Sequence, residues 1–385
     1  MESFPEHLLT CTNRADPREQ PLTRKLESNS RLLQVAHRGG LADFRPPWYL
    51  RTGHVQTLIT GFFRPIAPLT PAVTHRIEIG DTGAMLIHEN APEKLDESRP
   101  AVLLLHGLGS SHAGTYMTNI AAGMLQRGFR VFRADLPGAG LSCRTTYLPP
   151  HGACYDLVRK CLNHLSQSQR ISAWRIAGVS LGGNILLKML ARHAMQPELH
   201  PFDFRVDYAL AVAPPIDLKA CCENIERGIN RLYGRYFMRA LKRQAQERAD
   251  IWPQWKEVLR SADYRTIRRF DETVTAPLAG FPSSDSYYSF GSSIEELKNI
   301  QAPTTILIDE HDPIVPAHLF DRAAYSSTTR VVKTQYGGHV GYLHRLPTPD
   351  GKLGSRWRRW ADDRIATELA APTWPQPVKL SQDPS

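Results

Sequence analysis

Gly178-Val179-Ser180-Leu181-Gly182 is a G-x-S-x-G sequence between an apolar run at residues 174–177 and a helical pattern at residues 184–193. An order of strand, sharp turn and helix exposes the serine hydroxyl, and glycines at both ends keep Cβ atoms away from the adjoining strand and helix. The turn also places Ser180 at a helix N-terminus, where free N–H groups and the helix dipole favour negative charge. The stretch therefore predicts a nucleophilic serine. The alternative is a glycine-rich turn that binds a phosphate or only packs.

A second glycine-containing loop, His106-Gly107-Leu108-Gly109, follows the apolar run at residues 101–105. Such a loop supplies one N–H donor of an oxyanion hole, and the residue after the nucleophile supplies the other. We expect the backbone N–H groups of Leu108 and Leu181 to be these donors, each contributing about 3 kcal/mol to transition-state stabilisation. The imidazole of His106 is expected to fix the loop by hydrogen bonds.

A serine hydroxyl is a weak nucleophile and needs a base whose pKa lies near the working pH, which favours histidine. His339 lies in Gly337-Gly338-His339-Val340-Gly341-Tyr342, just beyond the last predicted strand. That position brings it to the same edge of the sheet as the serine turn. We predict that His339 is the general base. The other nearby histidines, expected at the surface or behind the site, are His311, His318 and His344.

The third group should be a carboxylate at the end of an intervening strand, where it can hold the histidine tautomer. Asp312 follows the predicted strand at residues 304–308 and gives the chain order Ser, Asp, His. We predict that Asp312 orients His339. Asp309 and Glu310 lie within reach, and Asp217 after the sixth strand is a further alternative.

Short apolar or β-branched runs alternate with helix-length segments, which predicts a mostly parallel sheet flanked by helices. The fold class is α/β, with the order of the motifs typical of the α/β-hydrolase fold. Residues 217–293 are too long for one crossover, and they predict a helical cap inserted after the sixth strand. The predicted divisions are an arm at 1–43, a core at 44–216, the cap at 217–293, a second core part at 294–371 and a tail at 372–385.

Three segments resemble the YheT-like family of α/β hydrolases, over roughly residues 45 to 345. They are residues 44–57 (FRPPWYLRTGHVQT), residues 178–184 followed by Lys188, and residues 270–281 (FDETVTAPLAGF) followed by Asp285, Tyr287 and Tyr288. The resemblance implies carboxylesterase activity toward acyl esters. One turn, residues 135–142 (DLPGAGLS), departs from the Arg-Gly-Cys-rich turn that is more usual in the family.

The composition is that of a globular protein, with 42% hydrophobic and 22% charged residues. No apolar run approaches the roughly 20 residues of a membrane span, and the N-terminal sequence lacks the pattern of a secretory signal, so cytoplasmic residence is expected. The net charge of +9 is spread along the chain, which argues against nucleic-acid binding. The local basic segments, 227–248 and 356–364, are predicted as helices with solvated basic faces. The six cysteines show no metal or disulfide spacing.

The motifs predict a serine hydrolase that works through an acyl-enzyme intermediate, and the resemblance implies that its substrates are small-molecule acyl esters. The chemistry requires no metal or organic cofactor, and none is predicted. The Tyr, Phe and Leu content of the cap suggests an apolar acyl pocket, although core packing explains it equally well. The alternatives are acyl transfer to an alcohol, a non-catalytic scaffold with the same fold, and a basic surface that recruits anionic lipid or nucleic acid.

Overall fold

The computed structural model describes residues 44–59, 69–347 and 353–371. Within these residues, eight strands form one sheet in the order β1-β2-β4-β3-β5-β6-β7-β8. β1 and β2 form an antiparallel hairpin and β2 runs antiparallel to β4, whereas all the remaining neighbours are parallel. The strands are β1 Val73–Glu78, β2 Ala84–Asn90, β3 Ala101–Leu105, β4 Val131–Asp135, β5 Ala173–Val179, β6 Arg205–Val212, β7 Thr304–Asp309 and β8 Thr329–Thr334. The predicted arm and tail lie outside the described residues.

Helices cover both faces of this sheet. In β3, alternate side chains pack on opposite faces: Leu103 and Leu105 belong to one apolar cluster, and Val102 and Leu104 belong to the other. Both faces of the strand are therefore buried, as its unbroken apolar sequence predicts. The predicted α/β-hydrolase class is confirmed. The helices outside the β6–β7 interval are α1 Gly53–Ile59, α2 Thr115–Gln126, α3 Tyr155–Ser168, α4 Leu181–Met195, α11 His318–Arg322 and α12 Trp360–Ala370, with 3₁₀ turns at Trp48–Leu50 and Gly140–Arg144.

The interval between β6 and β7 is largely helical. Its aromatic side chains include Phe270, Tyr287 and Tyr288, which are all buried in the apolar core. Core packing therefore accounts for these three aromatic residues. The elements are α5 Leu218–Ile225, α6 Arg231–Ala249, α7 Pro253–Val258, α8 Ile267–Phe270, a π-helical turn at Asp271–Thr275, α9 Ala276–Leu278 and α10 Ser284–Gly291, with 3₁₀ turns at Gly228–Asn230, Leu259–Ser261 and Ile294–Asn299.

The prediction of one solvated basic helix at residues 356–364 is wrong. Strand β10, Leu353–Arg359, pairs with β9, Leu343–Pro347, and α12 begins only at Trp360. Two of the arginines are largely removed from solvent: the Arg359 Nε donates to Asp362 Oδ2 (2.9 Å) and its Nη2 donates to the Val340 carbonyl (3.0 Å), and Arg364 is buried. Local charge alone could not reveal these partners, which lie on other elements or one helical turn away.

The other basic segment, residues 227–248, forms a 3₁₀ turn and most of α6. Its arginines at 235, 239 and 243 are exposed, as a solvated face requires, but Arg248 is only 3% exposed. The prediction is therefore correct for the first turns of the helix and wrong at its end. No described helix has the length and apolar character needed to cross a bilayer.

Candidate active site

Ser180 occupies a strained turn between β5 and α4. Its backbone has φ 51° and ψ −120°, a left-handed conformation that is costly for a residue with a Cβ. Such conformations cost about 1–3 kcal/mol and persist where the surroundings enforce them. Here the Ser180 N–H donates to the Val212 carbonyl of the neighbouring strand (2.8 Å). The backbone strain at Ser180 therefore lowers the stability of the fold, and it leaves the serine hydroxyl exposed at the tip of the turn.

The two glycines of the motif allow the strand, the turn and the helix to come this close. A Cβ at Gly178 would overlap the backbone of Gly182, and a Cβ at Gly182 would lie 2.6 Å from the carbonyl oxygens of Leu105 and His106. Any larger residue would push α4 away from the end of β3. The requirement inferred from the sequence has this steric cause.

The loop after β3 lies directly against the serine. A Cβ at Gly107 would lie 3.0 Å from the Ser180 Cβ, and the Gly107 N–H donates to the Tyr116 hydroxyl (2.8 Å). The buried His106 ring accepts from the Leu136 N–H at Nε2 (3.1 Å), so its proton sits on Nδ1, which donates to the Gly107 carbonyl (2.8 Å). Burial lowers the pKa of His106, which keeps it neutral in this role.

The predicted oxyanion-hole residues lie beside this contact. Leu108 directly follows Gly107, and Leu181 is the first residue of α4. Within the described part of the chain, neither backbone N–H donates a hydrogen bond. Both donors are therefore available to a ligand oxygen next to Ser180.

The Asp135 carboxylate at the end of β4 holds the loop after β3 in place by hydrogen bonds. Its Oδ1 accepts from the His112 N–H (2.7 Å), and its Oδ2 accepts from the Leu141 N–H (2.8 Å), the His112 ring (2.9 Å) and the His88 ring (3.1 Å). Burial raises the pKa of Asp135, but the hydrogen bonds from the two imidazoles outweigh it and hold the pKa well below its usual range. This turn is the one that departs from the family's usual sequence, and the carboxylate ties it to the oxyanion loop.

His88, His112 and Asp135 also bring three possible metal-ligand atoms within 4.8 Å of one another. Four N–H donors already occupy the Asp135 oxygens, and the Thr74 hydroxyl is hydrogen-bonded to the remaining nitrogen of His88 (3.0 Å). The group is satisfied as a hydrogen-bond cluster. It therefore gives no reason to assign a metal.

His339 is placed between Ser180 and Asp312. Its Nδ1 lies 2.9 Å from Asp312 Oδ2, and its Nε2 lies 3.0 Å from Ser180 Oγ. Because a carboxylate only accepts hydrogen bonds, the ring proton sits on Nδ1, and Nε2 is free to accept from the serine hydroxyl. Asp312 Oδ1 accepts from the N–H groups of Ile314 (2.8 Å) and Val315 (2.9 Å), which fixes the carboxylate. The structure thus brings the three predicted residues together in one chain of hydrogen bonds.

The competing carboxylates have other positions. Asp309 Oδ2 accepts from the Gly337 N–H (2.6 Å) and the Thr334 hydroxyl (2.7 Å), so it holds the start of the histidine loop and makes no hydrogen bond to the imidazole. Asp217 caps α5 by accepting from the Ala220 N–H (2.9 Å), and Glu310 is exposed. The geometry places Asp312, and none of these three, on the ring of His339.

Helix α1 supports the histidine loop, a role that sequence reasoning missed. The His339 N–H donates to the Thr57 hydroxyl (2.9 Å), and the Gln56 side chain exchanges two hydrogen bonds with the backbone of Leu343. A Cβ at Gly53 would overlap the His311 carbonyl oxygen. These residues lie inside the segment at 44–57 that resembles the YheT-like family. That segment therefore has a structural role beside the active site, because it holds the loop that carries His339.

Replacing Thr57 by valine is expected to lower kcat for a short-chain ester about fivefold, with a smaller change in KM. The shape of the side chain is kept, but the His339 backbone loses one hydrogen bond, which is worth about 1 kcal/mol. Thr52→Val is the matched control, since the Thr52 hydroxyl accepts from the exposed N–H of Val55 and has no hydrogen bond to the histidine loop among the described residues. Equal kinetics for the two variants would contradict a positioning role for Thr57.

Helix α4 ties the nucleophile turn to the chain that returns from the helical interval. Asn184 Nδ2 donates to the Gly291 carbonyl (2.8 Å), and its Oδ1 accepts from the Ser293 hydroxyl (2.8 Å). Lys188 Nζ donates to the Ser292 carbonyl (2.9 Å) and pairs with Glu296 (2.7 Å). Asn184 and Lys188 are two of the residues that carry the family resemblance. Their function in the fold is to join the interval to the core directly behind Ser180.

The first helix of the interval reaches the acid loop. Asn224 on α5 donates from its Nδ2 to the carbonyls of Pro313 (2.9 Å) and Ile314 (3.1 Å). A second contact joins the Tyr233 hydroxyl of α6 to the His54 ring of α1 (2.9 Å). The helical interval therefore contacts the loop that carries Asp312 directly and contacts α1, the helix that supports the His339 loop.

Most of the chain matches a known protein family. A family model described as Hydrolase_4, "Serine aminopeptidase, S33", matches residues 96–336 of the 385-residue chain. The chain belongs to this family. The matched range contains Ser180 and Asp312 and ends at residue 336, three residues before His339.

The YheT-like resemblance is also confirmed. The chain is 26% identical to "Putative esterase YheT" of Escherichia coli, in an alignment that covers 83% of this chain and 93% of that protein. Human phospholipase ABHD3 is 26% identical over 83% of this chain and 78% of its own length, and a yeast monoacylglycerol lipase is 26% identical over 68% and 58%. The names of these three relatives are those of an esterase, a phospholipase and a lipase.

Solved structures show the same fold at lower identity. A 2,6-dihydroxy-pseudo-oxynicotine hydrolase superposes with a TM-score of 0.50 at 18% identity, covering 82% of this chain and 71% of that protein. At this identity the likeness concerns the fold alone.

Proposed function

We propose that this protein hydrolyses carboxylic acyl esters through a covalent acyl-enzyme. The observation that carries the proposal is the hydrogen-bond chain from Asp312 through His339 to the Oγ of Ser180, on a turn whose backbone strain exposes the hydroxyl. Esterase, phospholipase and lipase are the names of relatives that align over most of this chain. All three names describe the cleavage of an ester bond.

The first half of the reaction forms the acyl-enzyme. Ser180 Oγ attacks the ester carbonyl while its proton passes to Nε2 of His339, and Asp312 stabilises the resulting imidazolium. The backbone N–H groups of Leu108 and Leu181 hold the oxyanion, and the imidazolium then gives its proton to the departing alcohol. In the second half, His339 takes a proton from water, the hydroxide attacks the acyl carbon, and the acid leaves as Ser180 recovers its proton.

The division of the chain into a core and a cap at 217–293 belongs to the same proposal. The interval contacts both the helix behind Ser180 and the loop that carries Asp312. We expect it to determine which esters reach the serine. Its contacts with the core support this function.

A fluorophosphonate probe tests the proposal, because it reacts covalently with an activated serine. We expect one adduct per molecule, mapped by mass spectrometry to the peptide that contains Ser180, together with turnover of p-nitrophenyl esters. Heat-denatured protein is the control and should remain unlabelled. Absence of an adduct on protein that is folded by circular dichroism, or an adduct on another serine, would overturn the proposal and favour a non-catalytic protein.

A further inference from the structure

A cavity of about 360 Å³ opens beside the loop that follows β3. Its lining on the core side includes Gly109, Ser110 and Cys143. On the side of α6 it is lined by Arg243, Gln244, Glu247 and Arg248. Gly109 lies two residues beyond Gly107, the residue in contact with Ser180. The cavity is therefore next to the proposed oxyanion hole.

Arg248 is a buried cation without an anionic partner in the described part of the chain. Arg248 is only 3% exposed. Arg159, another buried arginine, forms an ion pair with Asp156. The guanidinium donates to the Gly138 carbonyl and lies 5.1 Å from the ring centre of Trp255, and both of these neighbours are uncharged. A buried charge is costly unless it is paired, so this arginine is a candidate to receive an anion.

Two further polar atoms on this wall have no partner. Arg248 Nε and Gln244 Oε1 are both buried, and neither forms a hydrogen bond within the described residues. Buried polar groups are normally satisfied, and exceptions often mark the place of a water, an ion or a ligand. Two exceptions that line the same cavity point to a polar occupant.

The charge of the cavity favours an anion. Arg243 is exposed and lines the cavity one turn before Glu247, with 3.8 Å between the charged groups of the two residues. The wall therefore carries two guanidinium groups, those of Arg243 and Arg248, against the single carboxylate of Glu247, and its net charge is positive. Guanidinium groups bind carboxylate and phosphate with paired hydrogen bonds, which makes these two groups the expected ligands.

We propose that this cavity binds the negatively charged end of the substrate ester, a carboxylate or a phosphate, through Arg243 and Arg248. The inference rests on the proposed function, because it concerns the substrate of the same serine. The proximity of the cavity to the oxyanion loop supports an anion that belongs to the ester itself. The enzyme then prefers esters with an anionic end to neutral esters of the same length.

The test compares kcat/KM for matched p-nitrophenyl esters of graded length. Each acyl chain ends in a carboxylate or in a phosphate. The neutral partners carry the methyl ester of the carboxylate or the dimethyl ester of the phosphate. For the wild type we expect at least one anionic series to exceed its neutral partner about 10- to 100-fold at the best length, the range of a charge-assisted hydrogen bond. The series that shows the preference identifies the anion.

Arg243→Gln and Arg248→Gln are each expected to remove most of this preference, and Arg248→Lys should retain part of it because the charge is kept. Arg239→Gln is the matched control, since Arg239 is exposed on the same helix and does not line the cavity. If Arg248→Gln fails to fold, the exposed Arg243 variant decides the outcome. Equal rates for anionic and neutral esters, or an unchanged ratio in Arg243→Gln, overturn this inference alone. Hydrolysis of neither class overturns the proposed function and this inference with it.

Discussion

Replacing Ser180 or His339 by alanine is expected to lower kcat for a short-chain p-nitrophenyl ester by about 10⁶-fold. The two side chains act as one unit, because the hydroxyl becomes a nucleophile only as Nε2, 3.0 Å away, accepts its proton. For the same reason the double variant should be no slower than either single one. Steady-state kinetics on the three variants measure both the loss and its non-additivity.

A histidine outside the site provides the control for this experiment. His318 is exposed at the start of α11, and His318→Ala should keep wild-type kinetics. Melting temperatures should show that all the variants fold. If the double variant were slower than each single variant by the full product of their effects, the two residues would act independently, and the proposed relay would be wrong.

The strands and the motif loops could be predicted from sequence because their signals are local. β3 is an unbroken apolar run that ends in a glycine loop, and β5 leads directly into G-x-S-x-G. Hydrophobicity therefore indicates the strands, and turn chemistry indicates where the chain leaves them. Asp312 and His339 follow from the same logic, since each comes shortly after a predicted strand. A candidate site could therefore be proposed before any distance was known.

The supports of the site could not be predicted in this way. Thr57 and His339 are 282 positions apart, and nothing in the sequence around Thr57 indicates that its hydroxyl contacts the histidine loop. The buried Arg248 has the same sequence context as the exposed arginines before it on α6, and only packing against Gly138 and Trp255 distinguishes it. The strand that ends at Arg359 was mistaken for helix because its partner, β9, is recognisable only in three dimensions. Long-range contacts of this kind leave no local signal.

The Asp312→Asn variant is expected to lower kcat about 10⁴-fold while the fold is kept. The reason lies in the direction of the side chain. Oδ1 of Asp312 accepts from the N–H groups of Ile314 and Val315, and an asparagine oxygen must stay there to satisfy both donors. The amide NH₂ then faces Nδ1 of His339. Nδ1 becomes the acceptor, the ring proton moves to Nε2, and Ser180 loses the base that should take its proton. Steady-state kinetics measure the loss, and ¹⁵N NMR of the imidazole should show the change of tautomer.

Asp309→Asn is the matched comparison, because Asp309 follows the same strand and was a competing candidate for the acid. Its carboxylate accepts from the Gly337 N–H, the Thr334 hydroxyl and the His311 N–H, so the amide leaves one or more of these donors badly paired. We expect a loss of about 1–3 kcal/mol in the free energy of unfolding, a fall in kcat of about tenfold or less, and no change of the His339 tautomer. The opposite pattern, with Asp309→Asn inactive and Asp312→Asn merely less stable, would assign the acid to Asp309. The two aspartates separate the two requirements of the histidine loop: Asp309 keeps the loop in place, and Asp312 sets which nitrogen of its imidazole is the base.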